Sequence, residues 1–130
     1  LNCRLSRYER VSGRTTVKKL FASKSSFFEY PFRVRLIGRD LPAESPARIL
    51  ISIPKHHVRR AVDRNLLKRR IREAYRLQKQ GLCDSLKLSN RNIDISFSYC
   101  IKEILPFARL QEKIILILHR LTKENEKLTG

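Results

Sequence analysis

Apolar residues change their spacing several times along this 130-residue chain, and each change marks an element. Residues 1–13 are polar and basic and read as an extended segment, with Leu5 and Val11 as anchors and Ser12-Gly13 as its stop. Val17, Leu20 and Phe21 then fall at i, i+3 and i+4, which predicts a short amphipathic helix from Arg14 to Ala22. From Phe28 to Ile37 the period drops to two, the signature of a strand. Phe28, Tyr30, Phe32, Val34 and Leu36 point one way; Glu29, Pro31, Arg33, Arg35 and Ile37 point the other. Pro31 has no N–H to give to a ladder, so the strand lies at an edge or begins just after it. The turn-rich stretch from Gly38 to Pro46 reads as a loop. Ala47 to Ile53 is β-branched and mostly apolar, a second strand expected to be buried on both faces and closed by Pro54.

A long helical period follows. It predicts a helix from Ala61 to Gln80 with Gly81 as its stop, entered through a basic connector from Lys55 to Arg60. Leu82 to Arg91 reads as loop. Ile93, Ile95, Phe97 and Tyr99 line one face of a third strand from Asn92 to Ile101. Pro106 suits the first turn of a last helix, with Leu110, Ile114, Ile115, Leu118 and Leu121 as its stripe. The tail, residues 122–130, is expected to fray. Sheet and helices around one core make this a single α+β domain, 1–130, in keeping with its length and its 42% hydrophobic content.

Charge changes the picture. The formal net charge is +17, from 29 basic and 12 acidic residues, which calls for an anionic partner. Between Lys55 and Lys79 ten Lys/Arg face only Asp63 and Glu73. At about 100° per residue, Asn65, Lys68, Arg69, Arg72, Arg76 and Lys79 share an arc of roughly 100°. Leu66, Leu67, Ala74 and Leu77 fall opposite. Such a helix buries one face and offers the other to a polyanion, most simply nucleic acid.

The order of residues is more specific than the charge. Arg64-Asn65-x-x-Lys68-Arg69-x-x-Arg72-Glu73, preceded by Ala61-Val62 and by Ser52-Ile53-Pro54-Lys55, resembles the signature of the protein component of bacterial ribonuclease P. The run from Arg72 to Arg76 also matches, and the resemblance extends from Leu5 to about Leu121. It implies an αβββαβα sandwich, the ribosomal protein S5 domain 2-like fold, with a four-stranded sheet and a left-handed crossover around the basic helix. In that family an RNA subunit and its Mg²⁺ ions cut the 5′ leader from precursor tRNA. The small basic protein binds the catalytic RNA and the leader. The resemblance therefore implies RNA contacts from Lys55, His56, Arg60, Arg64, Asn65, Lys68, Arg69, Arg72 and Arg76. It also implies a leader cleft between the first helix and the sheet, at Val17, Phe21, Arg33 and Arg35. Here the chain departs from the pattern: Val17 and Arg35 stand where aromatics are common, and His56 replaces a lysine. Leader binding is thus expected to lean on phosphate contacts more than on stacking.

The residue types agree with a non-catalytic partner. The acids are scattered, without the carboxylate cluster that a protein nuclease needs to hold Mg²⁺. Asp63 and Glu73 read as ion-pair partners of nearby arginines. His56 and His57 are adjacent and cannot readily converge on one metal, so no catalytic or protein-bound metal site is expected, and Mg²⁺ is assigned mainly to the RNA. Cys3, Cys83 and Cys100 lack ligand spacing and read as free thiols of a reducing compartment. No apolar run approaches the ~20 residues of a membrane span, and a cytoplasmic protein without membrane or obligate protein partner is expected. Two other readings of a basic helix are a structural, ribosome-associated rRNA clamp and a DNA-binding module. The second lacks a helix-turn-helix pairing or a dimerisation heptad.

Overall fold

The structure, a computed structural model, describes residues 9–11, 13–39 and 45–129. Eight elements follow in order: α1 (Arg14–Phe21), β1 (Ser26–Glu29), β2 (Phe32–Arg39), β3 (Ala47–Ser52), α2 (Ala61–Gln78), α3 (Gln80–Leu88), β4 (Asn92–Tyr99) and α4 (Phe107–Thr129). The strands form one sheet in the order β1-β2-β4-β3, antiparallel except for the parallel β3–β4 pair. A parallel pair needs a long connection, and α2 with α3 supplies it.

One face of the sheet carries the main core. Phe32, Val34, Ile49, Ile95, Phe97 and Tyr99 pack there against Leu67, Ile71 and Tyr75 of α2, Leu82 and Leu86 of α3, and Leu110, Ile114, Ile117 and Leu121 of α4. Phe32 meets Phe97 edge-on at 5.8 Å between ring centroids and Tyr99 at 5.9 Å, and Tyr75 meets Phe97 at 6.3 Å. α1 lies over the other face, against β2 and β4, where Leu20 is fully buried.

Four differences from the pattern-based reading have physical causes. First, the expected strand from Phe28 to Ile37 is two strands, folded back at Tyr30-Pro31 into a hairpin with Phe28 opposite Arg33. The part after Pro31 is the strand that begins past the proline. Second, β3 is not buried on both faces but lies at an edge, with Arg48, Leu50, Ile51 and Ser52 only half-buried. The backbone of Arg10 bridges Ile49 there, and the Val11 N–H donates to the Ile49 carbonyl at 2.9 Å, so the N-terminal segment covers part of that edge. Val11 is buried; Leu5 lies outside the described residues. The doubly covered strand is β4, whose Asp94, Ser96 and Ser98 alternate with apolar residues yet are buried. An alternating pattern signals two chemically different faces, and both can be covered.

Third, Gly81 does not stop a helix. α2 passes into α3 after Gln78, and Gly81 sits inside α3 because Leu82, Cys83 and Leu86 form a stripe that enters the core. Ser89 and the left-handed Asn90 (φ 56) end that helix instead. Fourth, α4 continues past Thr122 to Thr129. Asn125 holds its outer part: buried, it donates to Ser85 Oγ at 2.9 Å and Ser89 Oγ at 3.2 Å, tying α4 to α3. The apolar stripe of α2 is also displaced from the expected one, since Leu67, Ile71, Ala74 and Tyr75 are fully buried while Leu77 is 47% exposed.

Candidate nucleic-acid interface

Two faces concentrate the residues singled out in the sequence. The first begins where β3 ends. Pro54 turns the chain, and its carbonyl accepts from the N–H groups of His57 and Val58 at 3.1 Å. Val58, buried, pins the connector to the core, which leaves Lys55, His56, Arg59 and Arg60 exposed around it. The guanidinium of Arg64 reaches back and donates to the carbonyls of Val58 at 3.0 Å and Arg59 at 2.7 Å. Arg64 therefore fixes the connector to the first turns of α2.

Along α2 the basic arc borders the buried stripe directly. Asn65 and Arg69 are exposed; Lys68, Arg72, Arg76 and Lys79 are half-buried. Two of the cations are already paired. Arg76 binds Glu73 at 2.6 Å, and Lys79 binds Glu9 of the N-terminal segment. Asp63 lies 3.9 Å from Arg60, so both acids of this region sit beside arginines as expected. The hydrogen bond from Arg76 holds the Glu73 carboxyl below the usual carboxylate range. Burial lowers Arg72, and the nearby Arg10 of the N-terminal segment lowers it further. Arg59 and Arg10, absent from the sequence-based set, belong to this face.

The second face is the α1 side of the sheet. Val17 and Phe21 of α1 stand over it, Val17 half-buried and Phe21 40% exposed. Arg35 lies with its guanidinium 5.5 Å from the centre of the Phe21 ring and donates to Ser98 Oγ at 3.4 Å. Arg33 repeats the arrangement, 5.5 Å from the centre of the Phe28 ring. Phe28 was missed in the sequence because a single continuous strand puts it on the opposite face from Arg33. The hairpin at Pro31 reverses that phase and brings it here, 47% exposed. Pro31 itself was the available signal. On the far side of this face Arg48 grips the buried Asp94 in two hydrogen bonds of 2.8 Å. That contact pairs an otherwise costly buried charge.

The His56 and His57 rings lie 4.2 Å apart on the surface connector. Among the described residues no group of three His, Cys, Asp or Glu is placed to hold a metal ion. Cys83 and Cys100 are free thiols, and burial pushes Cys83 up, away from the reactive thiolate form. Among the described residues no helix is long and apolar enough to cross a membrane.

A basic helix face beside an arginine-and-aromatic sheet face defines an α+β protein built to bind an RNA. The family model described as Ribonuclease P matches residues 5–122. The ribonuclease P protein component of Porphyromonas gingivalis is 37% identical over 109 residues, covering 82% of this chain and 78% of that protein. That of Chlorobium phaeobacteroides is 36% identical over 128 residues, covering 90% and 87%. In fold, the chain is similar to the RNase P protein of Staphylococcus aureus, with a TM-score of 0.70, 19% identity and coverage of 88% and 97%. It is also similar to that of Thermotoga maritima, with a TM-score of 0.65, 24% identity and coverage of 86% and 96%. The chain belongs to the ribonuclease P protein family, and so is a tRNA-processing subunit of a ribonucleoprotein endoribonuclease.

Proposed function

We propose that residues 1–130 act as one RNA-binding domain that grips the catalytic RNA with the α2 face and receives the 5′ leader of precursor tRNA on the sheet face. Lys55, His56, Arg60, Asn65, Lys68, Arg69 and Arg72 meet RNA phosphates, with Arg64 and Arg76 framing them. Val17, Phe21, Arg33 and Arg35 line the leader cleft. The observation that carries this reading is the connector: it joins the end of β3 to the start of the basic arc, so an RNA gripped on α2 and a leader lying on the sheet face can meet at one basic segment. Guanidinium forks suit phosphate oxygens, and a rigid helix presents them at fixed intervals. The Arg35–Phe21 pair offers charge for a phosphate and a π-face for a base.

Phosphodiester cleavage belongs to the RNA subunit and the Mg²⁺ ions it holds; the described residues of this chain lack a carboxylate cluster to hold them. The chain's own part is to bind and orient precursor tRNA and to neutralise phosphates that would otherwise repel one another. We place this work in the cytoplasm, in keeping with the free thiols. Reconstitution with a bacterial catalytic RNA tests it. The protein is expected to lower the Mg²⁺ concentration needed for cleavage at the mature 5′ end and to cut nothing alone. RNA-free protein that made the same cut would overturn the assignment.

A further inference from the structure

We propose that Phe28, at the β1 edge, is a stacking station for a leader nucleotide and forms the far end of a single-strand track that begins at the basic connector. The inference rests on the reading of the sheet face as the leader site, and adds to it a residue and a length requirement.

The sheet register lays out the track. Phe28 pairs with Arg33, Arg33 with Ser98, and Ser98 with Ser52, so these four side chains form one row across all four strands. Ser52 ends β3 and leads through Pro54 to Lys55. The row is three strand spacings wide, about 14 Å, a span that takes a few nucleotides of extended RNA. Its chemistry changes along the row: the half-buried Ser52 nearest the connector, then the buried Ser98, then the half-buried guanidinium of Arg33, and an exposed aromatic ring at the outer edge. The neighbouring row, Ser26, Arg35, Ser96 and Leu50, puts Arg35 against Phe21. The two aromatic–arginine units are thus side by side on one face.

Exposure supports a ligand over a packing role. Phe32, Phe97 and Tyr99 of the same sheet are fully buried on the core face, whereas Phe28 keeps 47% of its surface open. A half-exposed ring beside a cation is a poor core residue and a good platform for a base. β1 is an edge strand, and among the described residues no further strand pairs beyond Phe28.

Leader length and leader base are the variables to test, with the holoenzyme throughout. Affinity is measured for mature tRNA, for precursor with a one-nucleotide leader, and for leaders up to about eight nucleotides. Phe28→Ala and the bulk-preserving Phe28→Leu are expected to weaken long-leader precursors about five- to tenfold, the lower range for loss of one stacked base. Both are expected to leave mature tRNA and the shortest precursor unchanged, while Phe28→Tyr retains wild-type binding. An abasic scan of the leader should locate one position whose base matters to wild type and not to Phe28→Leu. Wild-type affinity for long leaders in Phe28→Leu, or an equal loss for every substrate, would overturn the proposal. Arg33→Ala/Arg35→Ala separates the two levels. If that pair loses the precursor preference while the Phe28 variants keep it, only the Phe28 assignment fails. If the pair also keeps it, the sheet face is not the leader site.

Discussion

The α2 face and the sheet face are both basic, but they are built in opposite ways. On α2 the cations come from one continuous segment, spaced by the helical period and set on a helix whose inner side is fully buried at Leu67, Ile71 and Tyr75. On the sheet the arginines sit on β2, each with a ring contributed by another element: Phe21 from α1 and Phe28 from β1. The first face depends on charge density, so its affinity is expected to respond to salt through counterion release. The second mixes charge with stacking, which salt screens much less. Under the proposed function, this difference is what would separate anchoring from substrate discrimination.

The largest effect should come from removing what supports α2. Leu67→Ala or Ile71→Ala is expected to destabilise the fold by about 2–5 kcal/mol in urea melts, since both side chains are fully buried. Arg69→Ala, on the exposed side of the same helix, should change stability by no more than about 0.5 kcal/mol. Equal losses would mean that the two sides of α2 are not divided between core and surface.

Next in size is the loss of charge on α2. Neutralising about six phosphates gives a slope of log K against log salt near −4 to −5. Lys68→Ala, Arg69→Ala and Arg72→Ala combined should weaken binding to the catalytic RNA about a hundredfold and reduce that slope by roughly 2–3 units. An unchanged slope measured by titration across salt concentrations would show that the arc is not the anchor.

The sheet face should respond more selectively. Arg33→Ala/Arg35→Ala is expected to erase much of the precursor preference, about tenfold in the ratio of precursor to mature tRNA affinity, with binding to the catalytic RNA nearly intact. Phe21→Ala should have a smaller effect on that ratio. If a stably folded Phe21→Ala collapses the ratio and the arginine pair does not, stacking alone sets discrimination on this face.

The smallest effect separates the cations already paired from the rest. Glu73 titrates below the ordinary glutamate range because Arg76 donates to its carboxylate. A depressed folded-state pKa contributes stability above the unfolded value and loses it as pH falls through the folded one. A Glu73 carboxyl resonance followed by NMR should therefore titrate low, and Arg76→Ala should return it towards the ordinary range. No movement would mean that Arg76 is not its partner in solution and belongs with the open cations of α2.

How far the sequence could be read followed the distance between interacting residues. The basic arc, the connector and the pairing of Glu73 and Asp63 with nearby arginines were legible because all lie within a few helical turns. The helical stripe of α3 was hidden by Gly81, whose usual role as a helix stop was overridden by burial of Leu82, Cys83 and Leu86. The extension of α4 was hidden in the same way, since Asn125 donates to Ser85 of α3 and to Ser89 at its end, residues far away in the chain. The burial of Asp94 and Ser96 was equally invisible: the alternation of β4 declares two faces but not that α1 covers the polar one.

The sequence by itself determined the class of fold, the excess of positive charge and the helix that carries a basic face, because local periodicity and charge density are properties of neighbouring residues. It also carried a family signature, in the order of residues around Arg64-Asn65. Only the tertiary structure decided which strand was central, that Arg64 braces the connector, and that Phe28 shares a face with Arg33. The physical reason is strand phase: side chains alternate every residue, so one turn at Pro31 moves every residue before it to the opposite face.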